Sequence, residues 1–165
     1  MAPLEYAGRV ALQIWDRTRQ ERNRYPPRNW FDLEDGAVVR ATYTAYPVPS
    51  RVKMPDAHGG SVGGYIHGYV SLRLDGKSHS LEATELEGGG LFIQFRDATN
   101  ETETFPDGRY LETQPAAEDG AVILDFNRAF NPPCAFSEFV ACTLAPKSNA
   151  VRSPIRAGER FSRTR

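Results

Sequence analysis

The chain has 165 residues, a formal net charge of −1, 40% hydrophobic residues and 25% charged residues. This length and composition are typical of one globular domain, and the near-neutral charge gives no electric field that would attract nucleic acid or anionic lipid. No signal-peptide pattern opens the sequence, and no apolar run approaches the roughly 18 residues that cross a bilayer. We therefore expect a single cytoplasmic domain over residues 1–165 that binds neither nucleic acid nor membranes.

The first segment predicts an α-helix over about residues 4–24. Tyr25-Pro26-Pro27 ends it, because proline neither donates to the helical ladder nor tolerates a helical residue before it. Apolar residues within the segment recur at three- and four-residue spacing, which makes one apolar stripe. The stripe consists of Leu4, Val10, Ala11, Ile14 and Trp15.

After this segment the apolar period changes to two, which is typical of β-strands. Strand-like runs occupy residues 37–46, 51–55, 65–74, 77–84, 88–95, 108–113, 121–126, 139–144 and 150–155. Because no helical crossovers separate these runs, they predict antiparallel pairing. The predicted fold class is all-β, a small antiparallel β-barrel or sandwich over about residues 37–156 with one N-terminal α-helix. The tail at 157–165 is expected to fray.

The clearest element is a hairpin over residues 65–84, with Asp75-Gly76 at its turn. This dipeptide favours a two-residue type I′ turn, in which both central residues take positive φ. Such a turn places Tyr69 opposite Glu82 on the polar face of the hairpin. His67 then lies one pair away on the same face.

Two loops that follow predicted strands are rich in short polar side chains. Such side chains bond to nearby backbone groups and fix loops that strand pairing cannot satisfy. An ion pair between Arg96 or Arg128 and Asp97 or Asp125 would tie the two loops together. The residues to which we assign this structural role are Arg96, Asp97, Asp125, Asn127, Arg128, Asn131 and Cys134.

The two cysteines, Cys134 and Cys142, suggest neither a metal site nor a nucleophile. The three histidines and two cysteines lack the short paired spacings of metal ligands, so we expect no metal. Cys134 follows two prolines and precedes Ala-Phe, a setting typical of a packed, inert thiol. A Cys134–Cys142 disulfide can form if the intervening loop doubles back, although cytosolic thiols are normally reduced.

Residues 88–111, 122–136 and 156–160 carry the motifs GGGLFIQFRDATNETETFPDGRYL, VILDFNRAFNPPCAF and RAGER. Together they resemble a bacterial family known only as domain of unknown function 1684. Residues 23–31 extend the resemblance over most of the chain. It implies a small β-rich protein and brings no activity. The chain departs from the family pattern after Cys142, where TLAPKSNAV replaces a proline-rich run.

The polar hairpin face is the predicted site. If the helix packs outside the barrel, this face lines a cavity, whereas a helix that plugs the barrel would leave it as a wet surface. A histidine beside a carboxylate can act as a general acid or base, which makes His67 and Glu82 the candidate catalytic residues. The candidate ligand contacts are Tyr43, Tyr69, Tyr110 and Phe92.

Two functions compete. The first is a cofactor-independent enzyme that binds an apolar small molecule in the barrel and promotes its cyclisation, isomerisation or rearrangement. Bacterial natural-product biosynthesis is the setting in which we expect such a reaction. The second is a non-catalytic small-molecule-binding or accessory protein. An open interior with inward His67 and Glu82 favours the enzyme, and a filled interior favours the binder. The sequence leaves a homodimer open.

Overall fold

Eight β-strands make up the regular structure of residues 2–6, 9–14, 16–18 and 27–161, the part of the chain described by the computed structural model. They are β1 (Ala2–Tyr6), β2 (Arg9–Gln13), β3 (Val38–Pro55), β4 (Ser61–Leu74), β5 (Lys77–Glu85), β6 (Leu91–Phe95), β7 (Arg109–Glu112) and β8 (Ala121–Asp125). Short 3-10 helices occupy Asp35–Ala37, Phe126–Arg128 and Pro133–Ala135. Six strands form one antiparallel sheet in the order β7-β6-β5-β4-β3-β8, which curls into a half-barrel. The all-β antiparallel class is therefore confirmed.

The N-terminal helix predicted over residues 4–24 is wrong wherever the structure describes that segment. Strands β1 and β2 pair with each other antiparallel, with Leu4 opposite Ala11. The apolar residues Val10, Leu12 and Ile14 alternate along the chain, and Val10 and Ile14 are also four residues apart, which is a helical spacing. A short apolar run fits both periods, so periodicity alone could not separate helix from strand. Residues 7–8, 15 and 19–24 of the predicted helix lie outside the described residues.

The hairpin between β4 and β5 has the predicted register. Leu74 lies opposite Lys77 and Tyr69 opposite Glu82. Both turn residues take positive φ, 50° at Asp75 and 73° at Gly76, as a type I′ turn requires. The dipeptide and the alternation of the flanking residues were therefore sufficient to fix this register.

The predicted strands elsewhere are partly corrected. Of the predicted strands 37–46 and 51–55, residues 38–46 and 51–55 belong to one long strand, β3, whose register against β4 shifts between Ala45 and Ser50. Residues 139–144 and 150–155 are not strands. They touch the sheet through single bridges, Asp56 with Thr143 and Arg96 with Ala150. An apolar run that packs over a sheet can thus resemble a strand without joining its ladder.

The inner, concave face of the half-barrel is filled by side chains. Apolar residues alternate along the strands, and the segment after residue 150 contributes the remainder of the core. The buried cluster comprises Ala37, Ala41, Val70, Leu72, Leu81, Ala83, Leu91, Ile93, Phe95, Leu111, Val122, Leu124, Phe126, Ala129, Val151, Ile155 and Ala157. Burial of this apolar surface is the main stabilising contribution to the fold.

A buried ion pair lies at the edge of this core. The Arg109 Nη2 atom is 2.8 Å from Asp97 Oδ2, and both side chains are 0% exposed. The guanidinium also donates to the carbonyls of Ile155 and Ala157 and lies 5.3 Å from the centre of the Phe95 ring. Burial lowers the pKa of Arg109, whereas the Asp97 carboxylate favours its charged form. These contacts join β6, β7 and the C-terminal segment.

The C-terminal residues 157–161 do not fray, which corrects the expectation for the tail. Ala157 and Glu159 are buried. Their neighbours are hydrogen-bonded to distant backbone groups, Arg160 N–H to Asn29 and Phe161 N–H to Glu103. The charged sequence RAGER is typical of a solvated tail, yet its glutamate, Glu159, is buried and accepts hydrogen bonds inside the fold. Residues 162–165 lie outside the described residues.

We predict that Arg109→Ala lowers the free energy of unfolding by about 3–5 kcal/mol, because it leaves the Asp97 carboxylate buried without its charge partner. Urea denaturation followed by circular dichroism measures the change. The matched control is Arg156→Ala, which removes an exposed arginine 2.9 Å from Glu103 and should cost about 1 kcal/mol or less. Equal effects of the two substitutions would contradict a central role for the buried pair.

Candidate functional site

The predicted site residues, except Tyr43, share the face of the sheet opposite the core, which we call the outer face. Along β4 and β5 the residues that alternate with His67, Tyr69 and Glu82 are buried in the core, so these three side chains point away from it. Phe92 pairs with Thr84 and Tyr110 with Gln94, which puts both rings on the same outer face. The sequence thus grouped these residues, but they do not line the interior of the half-barrel.

Tyr43 lies on the inner face instead. It pairs with Val70 and packs against the core cluster. Its hydroxyl donates to Glu85 Oε1 at 2.9 Å, and its ring passes over Gly68 to reach that carboxylate. A Cβ at Gly68 would lie 2.6 Å from the ring, so glycine is required there. Burial, reinforced by Glu85, raises the pKa of Tyr43, which therefore stays protonated at neutral pH.

The imidazole of His67 is held by the backbone. The Glu85 N–H donates to His67 Nδ1 at 3.2 Å, near the end of β5. An imidazole that accepts through Nδ1 carries its proton on Nε2 when neutral. His67 therefore presents an N–H donor at its other nitrogen.

Glu82 is anchored by the loop that crosses the outer face. Its Oε2 atom accepts a hydrogen bond from the Ser148 hydroxyl at 3.0 Å. The direct neighbour Tyr69 lies with its ring centre 6.0 Å from that of Tyr46. Two aromatic rings and one carboxylate thus lie together, partly exposed, on the outer face.

Asn149 is a site-forming residue that the sequence did not indicate. Strands β5 and β6 pair only at Thr84–Phe92 and Glu85–Leu91, and the same register places Gln94 opposite Glu82. The Asn149 side chain fills the space between these two. Its Oδ1 accepts from Glu82 N–H at 2.7 Å, and its Nδ2 donates to the carbonyls of Glu82 and Gln94 at 2.8 Å. It therefore replaces the missing ladder bonds.

Residues 130–149 cover the remainder of the outer face. The Tyr110 hydroxyl donates to the Thr143 carbonyl at 2.6 Å, and the Gln94 amide donates to the same carbonyl at 2.9 Å. The Tyr110 ring also packs edge-on against Phe92 and Phe130, with centre distances of 4.9 and 5.8 Å. Tyr110 is consequently buried under this loop, whereas Phe92 remains partly accessible.

The exposed part of the outer face is ordered in rows across β3, β4 and β5. One row consists of Thr42, Ser71 and Ser80 in direct register. The adjacent row consists of Thr44, Tyr69 and Glu82. A row of hydroxyls therefore lies next to a row with an aromatic ring and a carboxylate.

Two arginines lie on the side of the hydroxyl row that is away from Tyr69. Arg40 precedes Thr42 by two residues and Arg73 follows Ser71 by two, so both lie on the outer face next to the hydroxyl row. They line a shallow hollow of about 770 Å³ whose remaining lining is Ala41, Thr42, Ser71, Leu72, Ser78, His79 and Ser80. Arg73 also donates to the Gly76 carbonyl at 3.0 Å. This lining contains positive charge and hydroxyls but no carboxylate, so it can accept an anion.

The residues assigned to loop locking make the following contacts. Asp125 Oδ1 accepts from the Asn127 backbone N–H at 3.1 Å. The Asn127 amide in turn bonds both backbone groups of Glu34, at 3.0 Å each. Asp97 pairs with Arg109 rather than with Arg96 or Arg128. Strand ends thus acquire side-chain partners that lie far away in the sequence.

Arg96, Arg128 and Cys134 belong to the same predicted group. Arg96 donates to the Pro106 carbonyl at 2.6 Å and lies 3.8 Å from Asp107. Arg128 is exposed. Cys134 lies in the 3-10 helix Pro133–Ala135.

Asn131 belongs to a second buried network. Its backbone N–H donates to Glu159 Oε2 at 2.8 Å, and its amide donates to the Arg160 carbonyl at 3.0 Å. Glu159, which is 0% exposed, also accepts two bonds from Arg28, at 2.6 and 2.8 Å. The hydrogen bond with Glu159 raises the pKa of Arg28. These contacts bring residues 28, 131 and 159 together.

A separate open groove of about 820 Å³ lies at the end of the molecule near Trp30. Its lining residues are Asn29, Trp30, Glu101, Thr102, Glu103, Pro106, Arg160 and Phe161. The chain continues from its rim into residues 19–26 and 162–165, which lie outside the described residues. We therefore assign no site to this groove.

Within the described part of the chain, no three His, Cys, Asp or Glu side chains are grouped so that they could hold a metal ion. Among the same residues, no helix is long and apolar enough to cross a membrane.

Comparison with known proteins gives a family and a related fold. A family model described as "Protein of unknown function (DUF1684)" matches residues 23–160. The solution NMR structure of an uncharacterized protein from Haloarcula marismortui is 33% identical with a TM-score of 0.68, and the match covers 84% of this chain and 78% of that chain. No curated protein matches the chain.

We predict that Asn149→Ala lowers the free energy of unfolding by about 2–4 kcal/mol, since three backbone groups of the split between β5 and β6 lose their partner. Amide hydrogen exchange at Glu82 should become faster. The control is Ser148→Ala, which removes only an exposed hydrogen bond and should leave that exchange unchanged. Unchanged protection of the Glu82 amide in Asn149→Ala would rule out the bridging role.

Proposed function

The chain belongs to the DUF1684 family of proteins of unknown function, and we propose from the geometry of its outer face that it is a non-catalytic small-molecule-binding protein. The ligand is an apolar or aromatic ring that carries an anionic group. The ring lies on Tyr69 and the neighbouring Tyr46, and the anion lies in the hollow between Arg40 and Arg73.

The observation that carries this proposal is the order of the rows across three strands. Arginines, then hydroxyls, then an aromatic ring follow one another at the two-residue spacing of a strand, about 7 Å. Like charges side by side on neighbouring strands destabilise a sheet. An anion bound between Arg40 and Arg73 would relieve this repulsion, so the arrangement favours an occupied hollow.

The filled interior supports binding at this face. The core cluster occupies the concave side, where Val70, Leu81 and Ile93 are completely buried. A ligand that entered there would have to displace packed side chains, at a cost of several kcal/mol. His67 and Glu82 are accessible only from the other side of the sheet.

The geometry of His67 supports binding rather than acid–base chemistry. Its Nδ1 already accepts the Glu85 N–H, so its Nε2 is a donor and not a base in the neutral form. Glu82 keeps one oxygen beyond its bond to Ser148. Together they offer one donor and one acceptor to a polar substituent of the ligand. Cyclisation, isomerisation or rearrangement by this pair stays a prediction.

Indole-3-acetate serves as a probe of this proposal, because it combines a ring with a carboxylate. We expect it to bind the full chain in isothermal titration calorimetry. The neutral analogue indole-3-acetamide should bind about tenfold more weakly, since a charge-assisted hydrogen bond is lost. Arg40→Gln and Arg73→Gln should each remove most of this preference for the anion, and Tyr69→Ala should weaken the binding of both compounds.

The matched control for the two arginine variants is Arg152→Gln, which removes an exposed arginine outside the hollow and should bind both compounds as the parent chain does. Equal affinities for the acid and the amide would contradict an anion site between Arg40 and Arg73. Binding that survives Tyr69→Ala unchanged would contradict the placement of the ring.

A further inference from the structure

The two cysteines are in contact on the outer side of the sheet. The backbone N–H of Cys134 donates to Cys142 Sγ at 3.1 Å. Both cysteines are free thiols. The chain between them doubles back, which is the condition for a bond between two cysteines eight positions apart. A backbone N–H of one cysteine in contact with the sulfur of the other brings the two side chains close to the short separation that a disulfide spans.

The two cysteines are held on different supports. Cys134 lies in the 3-10 helix Pro133–Ala135. Cys142 is tied to the turn after β3, because its carbonyl accepts the Ala57 N–H at 3.0 Å and Leu144 N–H donates to Pro55 at 2.8 Å. A covalent bond between them would therefore fasten residues 134–142 into a closed loop on the sheet.

We propose that Cys134 and Cys142 are a modification site. They form a reversible intramolecular disulfide when the protein is exposed to a disulfide oxidant such as oxidised glutathione. This inference does not rest on the proposed ligand-binding function. It needs only the contact between the two cysteines and access to one of the thiols. Cys134 is half-buried, whereas Cys142 is 6% exposed, so Cys134 is the point of entry.

The reaction proceeds by two thiol–disulfide exchanges. The Cys134 thiol loses its proton and attacks one sulfur of oxidised glutathione; a mixed disulfide forms and one glutathione thiolate leaves. Cys142 then loses its proton and attacks the Cys134 sulfur, which releases the second glutathione thiolate. The two thiolates take up the two protons. Two cysteine thiols are oxidised, and one glutathione disulfide is reduced to two thiols.

The first exchange has a characteristic pH dependence. Burial, reinforced by the bond to Cys142, raises the pKa of the Cys134 thiol to about 12. Because only the thiolate attacks, the rate of oxidation should rise by about tenfold per pH unit from pH 7 to pH 10. An ordinary cysteine, with a pKa of about 8.5, would level off within that range.

The test incubates the full chain with oxidised glutathione at pH 8.5. We expect an intact mass that lacks two hydrogen atoms, a peptide that links Cys134 to Cys142, and a melting temperature about 5 °C higher than that of the reduced chain, because a short loop is closed. Dithiothreitol should restore the reduced mass.

Two variants identify the order of events. Cys142→Ser removes the second thiol, so Cys134 should accumulate as a glutathione adduct. Cys134→Ser leaves only the buried thiol, which should stay unmodified. The proposal is overturned if both thiols of the parent chain remain free after incubation, if glutathione adducts persist without an internal link, or if Cys142 reacts as readily as Cys134.

Discussion

The ion pair between Arg109 and Asp97 is the contact on which the other parts of the half-barrel depend. Strand β7 is an edge strand, and its Arg109 reaches inward to a carboxylate that follows β6. The same guanidinium donates to the carbonyls of Ile155 and Ala157, so it also holds the C-terminal segment over the core. Two buried charges without these partners would be strongly unfavourable, which makes the arrangement specific.

This closure determines which polar groups are accessible. Because the C-terminal segment and the sheet fill the concave side, accessible polar groups are left on the outer face. There β3, β4 and β5 carry charge, hydroxyls and a ring in adjacent rows, with Arg40, Ser71 and Tyr69 as representatives. Asn149 supports the far side of this surface by bridging Glu82 and Gln94. The loop that supplies Asn149 also contains Cys142, so the two contacting cysteines and this face belong to one layer.

Local signals in the sequence predicted local structure well. Asp75-Gly76 and the alternation around it gave the correct hairpin register, and with it the grouping of His67, Tyr69 and Glu82. The prediction of an N-terminal helix was wrong over the described residues because the short apolar runs there fit two periods. Partners distant in sequence could not be predicted. In the sequence Arg109 is an ordinary strand residue, and only the fold places it beside Asp97. Asn149 is an ordinary loop residue in the sequence, and only the fold places it between β5 and β6.

We propose that ligands bind the outer face and not the interior of the half-barrel. Backbone amide chemical shifts recorded during a titration with indole-3-acetate test this most directly. We predict that the largest changes fall on outer-face residues of β4 and β5 such as Tyr69, Ser71 and Ser80, with little change at Ile93 and Leu111 in the core. Changes concentrated at the core residues, or none at the outer face at saturation, would contradict it.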